Sequence, residues 1–273
     1  MVELYFLRNT TPDQMFGVLI LTPTKTVVID GGLEEDAHQL ERLMGKVGRD
    51  CVDAWFFTHP HHDHIGTFLA LYRKNPNILK GMIFCSFPSR QRLRLAPAHH
   101  DAERERWERM WDLLEGDLSS RFRPIREGDH FSFDELKIRI LRVYDPNFEV
   151  PYNFVNNSSA VFRLDSPQKR VLILGDLGTH AGADLLKRIS SSELVADYTQ
   201  MAHHGQQGVD FSFYEAIHPK RCIWPTPEKI WFNDGGNGPG TGKWKTEQTR
   251  IWMKQLGAKE HYMTKDGIVK ILI

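Results

Sequence analysis

Residues 58–64 read Thr-His-Pro-His-His-Asp-His, and four of those side chains, His59, His61, Asp63 and His64, are ligand-grade groups. The apolar, aromatic run Asp53-Ala54-Trp55-Phe56-Phe57 before them has the length of a buried strand. Ile65 to Tyr72 after them has a helical apolar rhythm. The cluster therefore belongs on a turn between a strand and a helix, where side chains converge while two rigid elements hold the backbone. Imidazole with carboxylate suits zinc, iron or manganese rather than calcium or magnesium. A solvated polar turn is the bland alternative, and imidazoles gathered this densely argue against it.

The chain's 273 residues carry 35 basic and 35 acidic side chains, so no global field draws nucleic acid or an anionic membrane. That length can bury a core without disulfides. The three cysteines, Cys51, Cys85 and Cys222, lie far apart in apolar stretches and read as small buried hydrophobes. No signal-like segment opens the sequence and no apolar run approaches the roughly 20 residues a membrane span needs. A soluble, cytoplasmic protein is expected.

Strands are expected at Val2–Leu7, Phe16–Leu21, Thr26–Ile29, Val52–Phe57 and Gly81–Cys85, with a helix from Glu34 to Val47. Residues 86–128 break the alternation: Trp107, Met110, Trp111 and Leu114 share a helical face among many arginines and acids. We read a helical insertion across or beside the site. Its arginines meet an anionic substrate or, more in keeping with the charge pattern, form a solvated face with local ion pairs. Strands then resume at Phe131–Phe133, Leu136–Val143, Ser159–Leu164, Val171–Leu174, Asp197–Ala202 and Arg221–Trp224, and near 260–263 and 268–273. Helices fall near Thr179–Ile189, Phe211–Ile217 and Trp244–Leu256. Strands mixed with helices throughout favour one layered α/β domain over residues 1–273.

Two further clusters join the first. Asp176 closes the apolar strand Val171-Leu172-Ile173-Leu174-Gly175, and His203-His204-Gly205 follows the 197–202 strand. An acid beside glycine at a strand end is a turn former or a site residue. With two histidine turns reached by similar strand ends, the ligand reading is the better one.

The run T-H-P-H-H-D-H resembles the signature of the metallo-β-lactamase superfamily, and the supporting features occur in the expected order: Asp30-Gly31-Gly32, Gly175-Asp176, His203-His204-Gly205. Asn157-Ser158-Ser159-Ala160-Val161-Phe162, followed by Gly175-Asp176-Leu177, is similar to one branch. That branch holds the hydrolase domain of DNA-uptake competence channels and the phosphorylcholine esterases. The resemblance implies an αββα four-layer sandwich, two mixed sheets flanked by helices, with a metal pair at one sheet edge. By that likeness His59 and His61 hold one ion, Asp63 and His64 the other, and Asp176 bridges them. His204 completes the second site, His203 contacts the leaving group or supports the ligands, and Asp30 props the histidine turn. Many members place a further histidine before the bridging aspartate. Here His99, His100 and His130 fall in unmatched contexts and read as structural, and Asn156-Asn157-Ser158 stands at that place, with Asn157 near the first ion. His180 is a supporting or a surface residue, and His62 is left out of the ligand set.

The implied cofactor is two divalent ions, zinc preferred, with manganese or iron as substitutes. Such a pair lowers the pKa of a shared water from about 15.7 towards about 7 and stabilises negative charge on the attacked group. Asp63 would orient the resulting hydroxide. The expected function is metal-dependent hydrolysis of a phosphodiester or other phosphate ester. A lactone, thioester or amide is the enzymic alternative, and a non-catalytic metal- or nucleic-acid-binding module the rival of another class. The glycine-rich stretch from Trp231 to Trp244 lacks P-loop spacing; it lines a pocket or is a surface turn anchored by its tryptophans. Tyr144-Asp145-Pro146-Asn147 is a candidate rim.

Overall fold

The computed structural model describes residues 1–97, 100–148 and 152–273, so His99 lies outside the described residues. Two seven-stranded sheets pack face to face. The first runs β14-β1-β2-β3-β4-β5-β6, comprising Glu3–Phe6 (β1), Gly17–Leu21 (β2), Thr26–Asp30 (β3), Val52–Phe56 (β4), Leu79–Cys85 (β5), Phe122–Pro124 (β6) and Val269–Leu272 (β14). The second runs β13-β12-β11-β10-β9-β8-β7. Its strands are His130–Phe133 (β7), Leu136–Arg142 (β8), Val161–Asp165 (β9), Arg170–Ile173 (β10), Tyr198–Gln200 (β11), Arg221–Trp224 (β12) and Glu260–Met263 (β13).

Both sheets switch from antiparallel to parallel pairing at one strand. β3 is antiparallel to β2 and parallel to β4. β10 is antiparallel to β9 and parallel to β11. Crevices beyond the carboxyl ends of strands at such switch points are where open α/β sheets bind ligands.

Strand periodicity explains the layers. Val18, Ile20, Val27, Ile29 and Phe56 of the first sheet meet Ile138, Ile140, Phe162, Leu164 and Ile173 of the second in one buried cluster between the sheets. The alternate residues Leu19, Val28 and Trp55 face outward onto the helices Ala37–Lys46 (α1) and His62–Lys74 (α2). Leu172 and Cys222 do the same on the other side, beneath α6 (Thr179–Arg188), α8 (Phe211–Ile217) and α10 (Thr246–Gln255). α5 (Phe154–Asn157), α7 (Ser191–Leu194) and α9 (Glu228–Trp231) are single-turn helices. The result is the αββα sandwich expected from the sequence.

The 86–128 segment contains α3 (Arg90–Arg94) and α4 (Asp101–Glu115), as its apolar face predicts, and also an edge strand, β6. β6 pairs in parallel with β5. It spans three residues and ends in proline, a residue tolerated in sheets only at edges, so its strand character is invisible to periodicity. Several of the segment's arginines form ion pairs. Arg90 meets Glu108, Asp112 and Glu115, Arg94 meets Glu108, and Arg106 and Arg109 meet Glu34. Cys85 and Cys222 are buried and Cys51 half-buried, all free thiols. Among the described residues, no helix is long and apolar enough to cross a membrane.

Candidate metal centre

Four strand ends deliver the site. β3 ends in Asp30, β4 leads into the 58–64 turn, β10 leads to Asp176 and β11 to His203-His204. Gly175, at φ +55°, permits a close approach between the halves: a Cβ there would lie 2.8 Å from the Thr58 Cβ. The main chain fastens the same junction through Ala160 N–H to Thr58 O, 2.8 Å, and His203 N–H to Gly175 O, 3.0 Å.

Asp63, His64, Asp176 and His204 form one group, and His59, His61 and Asp176 another, with the ligand atoms of each group within 4.8 Å of one another. Asp176 is common to both. His64 Nε2 lies 3.3 Å from Asp176 Oδ1, and His204 Nε2 lies 3.3 Å from Asp176 Oδ2 and 3.1 Å from Asp63 Oδ2. His59 Nε2 sits 3.8 Å from Asp176 Oδ2 and 3.0 Å from His61 Nδ1.

Six atoms here test whether a cation fits. His61 Nε2, Asp63 Oδ2, His64 Nε2, His204 Nε2 and both carboxylate oxygens of Asp176 are buried without a hydrogen-bond partner. The 3.1 Å His204–Asp63 approach has the distance of a hydrogen bond and not its geometry. Buried polar atoms are rarely left unpaired, because each costs about 1–3 kcal/mol. Ring nitrogens and carboxylate oxygens converging this way match divalent transition ions. His61 brings its Nδ1 to His59, so the open atom at His61 Nε2 faces elsewhere. The other five fit a cation.

Supporting contacts fix each ring. Asp30, buried and at φ +55°, accepts from Thr58 N–H at 2.8 Å and Thr58 Oγ1 at 2.7 Å, and takes His64 Nδ1 at 2.8 Å. That leaves His64 Nε2 free to face the aspartates, the carboxylate–histidine arrangement that orients metal ligands. His204 directs Nδ1 to Pro225 O, 2.9 Å, with the same consequence. His203 directs Nδ1 to Gln207 O and sets Nε2 3.2 Å from the Asn156 amide and 3.8 Å from Asp176 Oδ2. Its side chain is 15% exposed, whereas those of His59, His64, His204 and Asp176 are fully buried.

Charge coupling across the site is strong. Burial alone would depress His64, but Asp176, Asp30 and Asp63 hold it well above the usual imidazole range. Burial is likewise outweighed at His204, where Asp176 and Asp63 raise the pKa to about 9. Burial would raise Asp176, and His204, His64 and His203 pull it well below the carboxylate range. Burial lowers His59, His61 and His203. A ligand imidazole must be deprotonated to bind a metal, so an ion displaces the protons that His64 and His204 hold at neutral pH. Metal uptake by the stripped protein at pH 7.5 is thus expected to release about two protons per chain and to strengthen as pH rises towards about 9. Calorimetry in buffers of different ionisation enthalpy measures that release; uptake without it contradicts the assignment of these two rings.

The insertion reaches the site as well. Trp107 Nε1 donates to Pro60 O at 2.8 Å, and Glu103 takes His62 N–H at 3.0 Å and His62 Nδ1 at 2.5 Å. The His100 ring stacks on His61 at 5.4 Å. So His62 faces the insertion, and His100 packs on the site rather than elsewhere in the fold. Asn157, expected beside the first ion, instead donates to Asn153 O and accepts from Ala181 N–H. Its neighbour Asn156 makes the contact to His203. His180 packs edge-on against Tyr152, 5.1 Å away. Within the glycine-rich stretch, Trp231 packs on Trp224 and Asn233 bonds back to Trp244 N–H. Phe232, Asp234 and Pro239 line a separate cavity with Arg8–Pro12.

A family model for the metallo-beta-lactamase superfamily matches residues 10–81, the stretch that holds Asp30 and the histidine turn. No curated protein matches the chain by sequence. Among solved structures, the metallo-beta-lactamase fold protein YhfI from Bacillus subtilis is 13% identical, with a TM-score of 0.57 over 99% of each chain. A diphosphatase from the PhnP family is 14% identical, with a TM-score of 0.54 over 100% of this chain and 98% of that one. The CmlA beta-hydroxylase E377D mutant is 10% identical, with a TM-score of 0.58 over 100% of this chain and 54% of that one. The protein has the metallo-β-lactamase fold. Its His and Asp clusters stand where that architecture gathers the ends of its parallel strands.

Proposed function

We propose that the chain is a metal-dependent hydrolase that binds two divalent ions, zinc preferred, and cleaves a phosphodiester or other phosphate ester. The convergence of five unpaired buried ligand atoms from three separate stretches, two of the atoms being the Asp176 oxygens, carries this reading. His59, His61 and Asp176 would hold one ion, and Asp63, His64, Asp176 and His204 the other. Bound there, the ions would activate water and stabilise charge on the attacked phosphorus oxygens. Asp63 orients the attacking water. His203, its pKa lowered by burial and its ring 15% exposed, contacts the leaving group and takes up or returns a proton at Nε2, steadied by Asn156. The phosphate-ester preference draws support from the PhnP-family diphosphatase of the same fold, and on this reading the chain stands nearest the competence-hydrolase and phosphorylcholine-esterase branch. The substrate is a small molecule rather than nucleic acid, in keeping with zero net charge.

A screen of metal-loaded protein against bis-p-nitrophenyl phosphate, a lactone and a thioester tests this directly. Chelator-sensitive turnover of the diester above the other two is expected. Faster lactone or thioester cleavage overturns the substrate class, and no turnover of any with metal bound overturns the enzyme.

A further inference from the structure

A second feature lies next to the aspartate turn. A cavity of about 370 Å³ opens between the 142–148 segment, α3 and α5, with Arg142, Arg92, Tyr144 and Asn157 supplying polar groups and Phe148 and Phe154 supplying apolar walls. That volume falls within the range of small-molecule sites.

Arg142 is the unusual member. It is 1% exposed, its Nε has no hydrogen-bond partner, and Nη1 donates to Ser159 O at 2.9 Å. Its guanidinium lies 5.9 Å from the Phe148 ring, and among the described residues no carboxylate pairs with it. Burial lowers its pKa to about 10, assisted by Arg188 and opposed at longer range by Asp184, Glu127 and Asp145, so it stays charged at neutral pH. A desolvated, unpaired cation is costly and is normally found with an anion. The register of β8 against β9 shifts between Ile140 and Arg142, which takes Arg142 out of the alternation that would aim it between the sheets.

Arg92 repeats the pattern at the mouth. It is exposed, lies 4.7 Å over Phe154, and forms no ion pair among the described residues, while Arg90 and Arg94 beside it are paired. Asp145 also lines the cavity, but its Oδ1 accepts from Asn147 N–H within its own turn.

We propose that this cavity is an oxyanion site, in which the two guanidinium groups grip a carboxylate or phosphate group by charge-assisted hydrogen bonds. It connects to the metal centre through one residue. Ser159 accepts from Arg142 on its carbonyl and from Asp176 N–H on its hydroxyl, 3.1 Å. The oxyanion is either the non-reacting acidic end of the substrate, which rests on the hydrolase reading, or a separate small anion.

Calorimetric titration with inorganic phosphate, on metal-loaded protein and again with excess chelator, tests the site without requiring turnover. A chelator-resistant site is expected, weakened at least about tenfold by Arg92→Ala and lost in Arg142→Met, with Arg94→Ala unchanged. Arg92 is exposed, so its variant reports even where Arg142→Met unfolds. Absence of chelator-resistant binding, or equal binding by Arg92→Ala, overturns the proposal and leaves the hydrolase reading intact. The source of the anion follows from kinetics. A KM increase in Arg92→Ala confined to diesters carrying a second acid marks the substrate's own end, and equal KM values mark a separate anion.

Discussion

Asp176→Ala is expected to abolish hydrolysis and to lower metal content. Asp176 is the carboxylate common to both ligand groups, its two oxygens lying 3.3 Å from His64 Nε2 and His204 Nε2. Without it neither group keeps its shared anion, and two raised imidazoles lose the charge that holds their protons. A metal's electrostatic contribution to an attacked ester is worth several kcal/mol, so the rate should fall at least about a thousandfold. Steady-state kinetics with metal analysis on the same preparation checks both. A variant that retains wild-type activity would exclude Asp176 as the shared ligand. Asp176→Asn separates charge from shape: it keeps the volume and removes the anion, and it should lose nearly as much.

The second large effect concerns stability. Asp30→Ala removes a fully buried carboxylate that accepts from Thr58 N–H, Thr58 Oγ1 and His64 Nδ1. Burial opposes its ionised form, and His64 first among its partners counters that. Deleting one partner of a buried hydrogen-bonded charge leaves the others stranded, at about 3–5 kcal/mol. Denaturant unfolding should show that loss in the metal-stripped protein. Metal affinity should also fall about 10- to 100-fold, because His64 loses the group that sets its tautomer. An unfolding midpoint equal to wild type would mean that the turn holds itself without Asp30.

Much of the site was legible because its groups are dense and local. Four ligand-grade side chains fall within 58–64, and the strand pattern before them with the helical rhythm after them put them on a turn. The meeting of this turn with Asp176 and His204 is a matter of topology. Each sheet changes pairing sense at one strand, β3 or β10, which leads to an aspartate, and the next parallel strand leads to histidines. The resemblance supplied that correspondence, which periodicity alone does not contain.

What escaped the sequence depends on facing and on distant contacts. Asn156 and Asn157 differ by one position on a four-residue helix, about 100° of rotation, and that rotation decides which amide meets His203. His100, Glu103 and Trp107 recur along one helical face, and nothing local says that this face closes over Pro60 and His61. In Leu-Lys-Ile-Arg-Ile-Leu-Arg, alternation would aim Arg142 between the sheets with Ile138 and Ile140, and only the register shift against β9 turns it to the other face.

Anomalous scattering from crystals of the zinc- or manganese-loaded protein should show two peaks sharing Asp176, one also bonded by His59 and His61, the other by Asp63, His64 and His204. A peak away from Asp176, or none in fully loaded crystals, would contradict the shared-ligand centre.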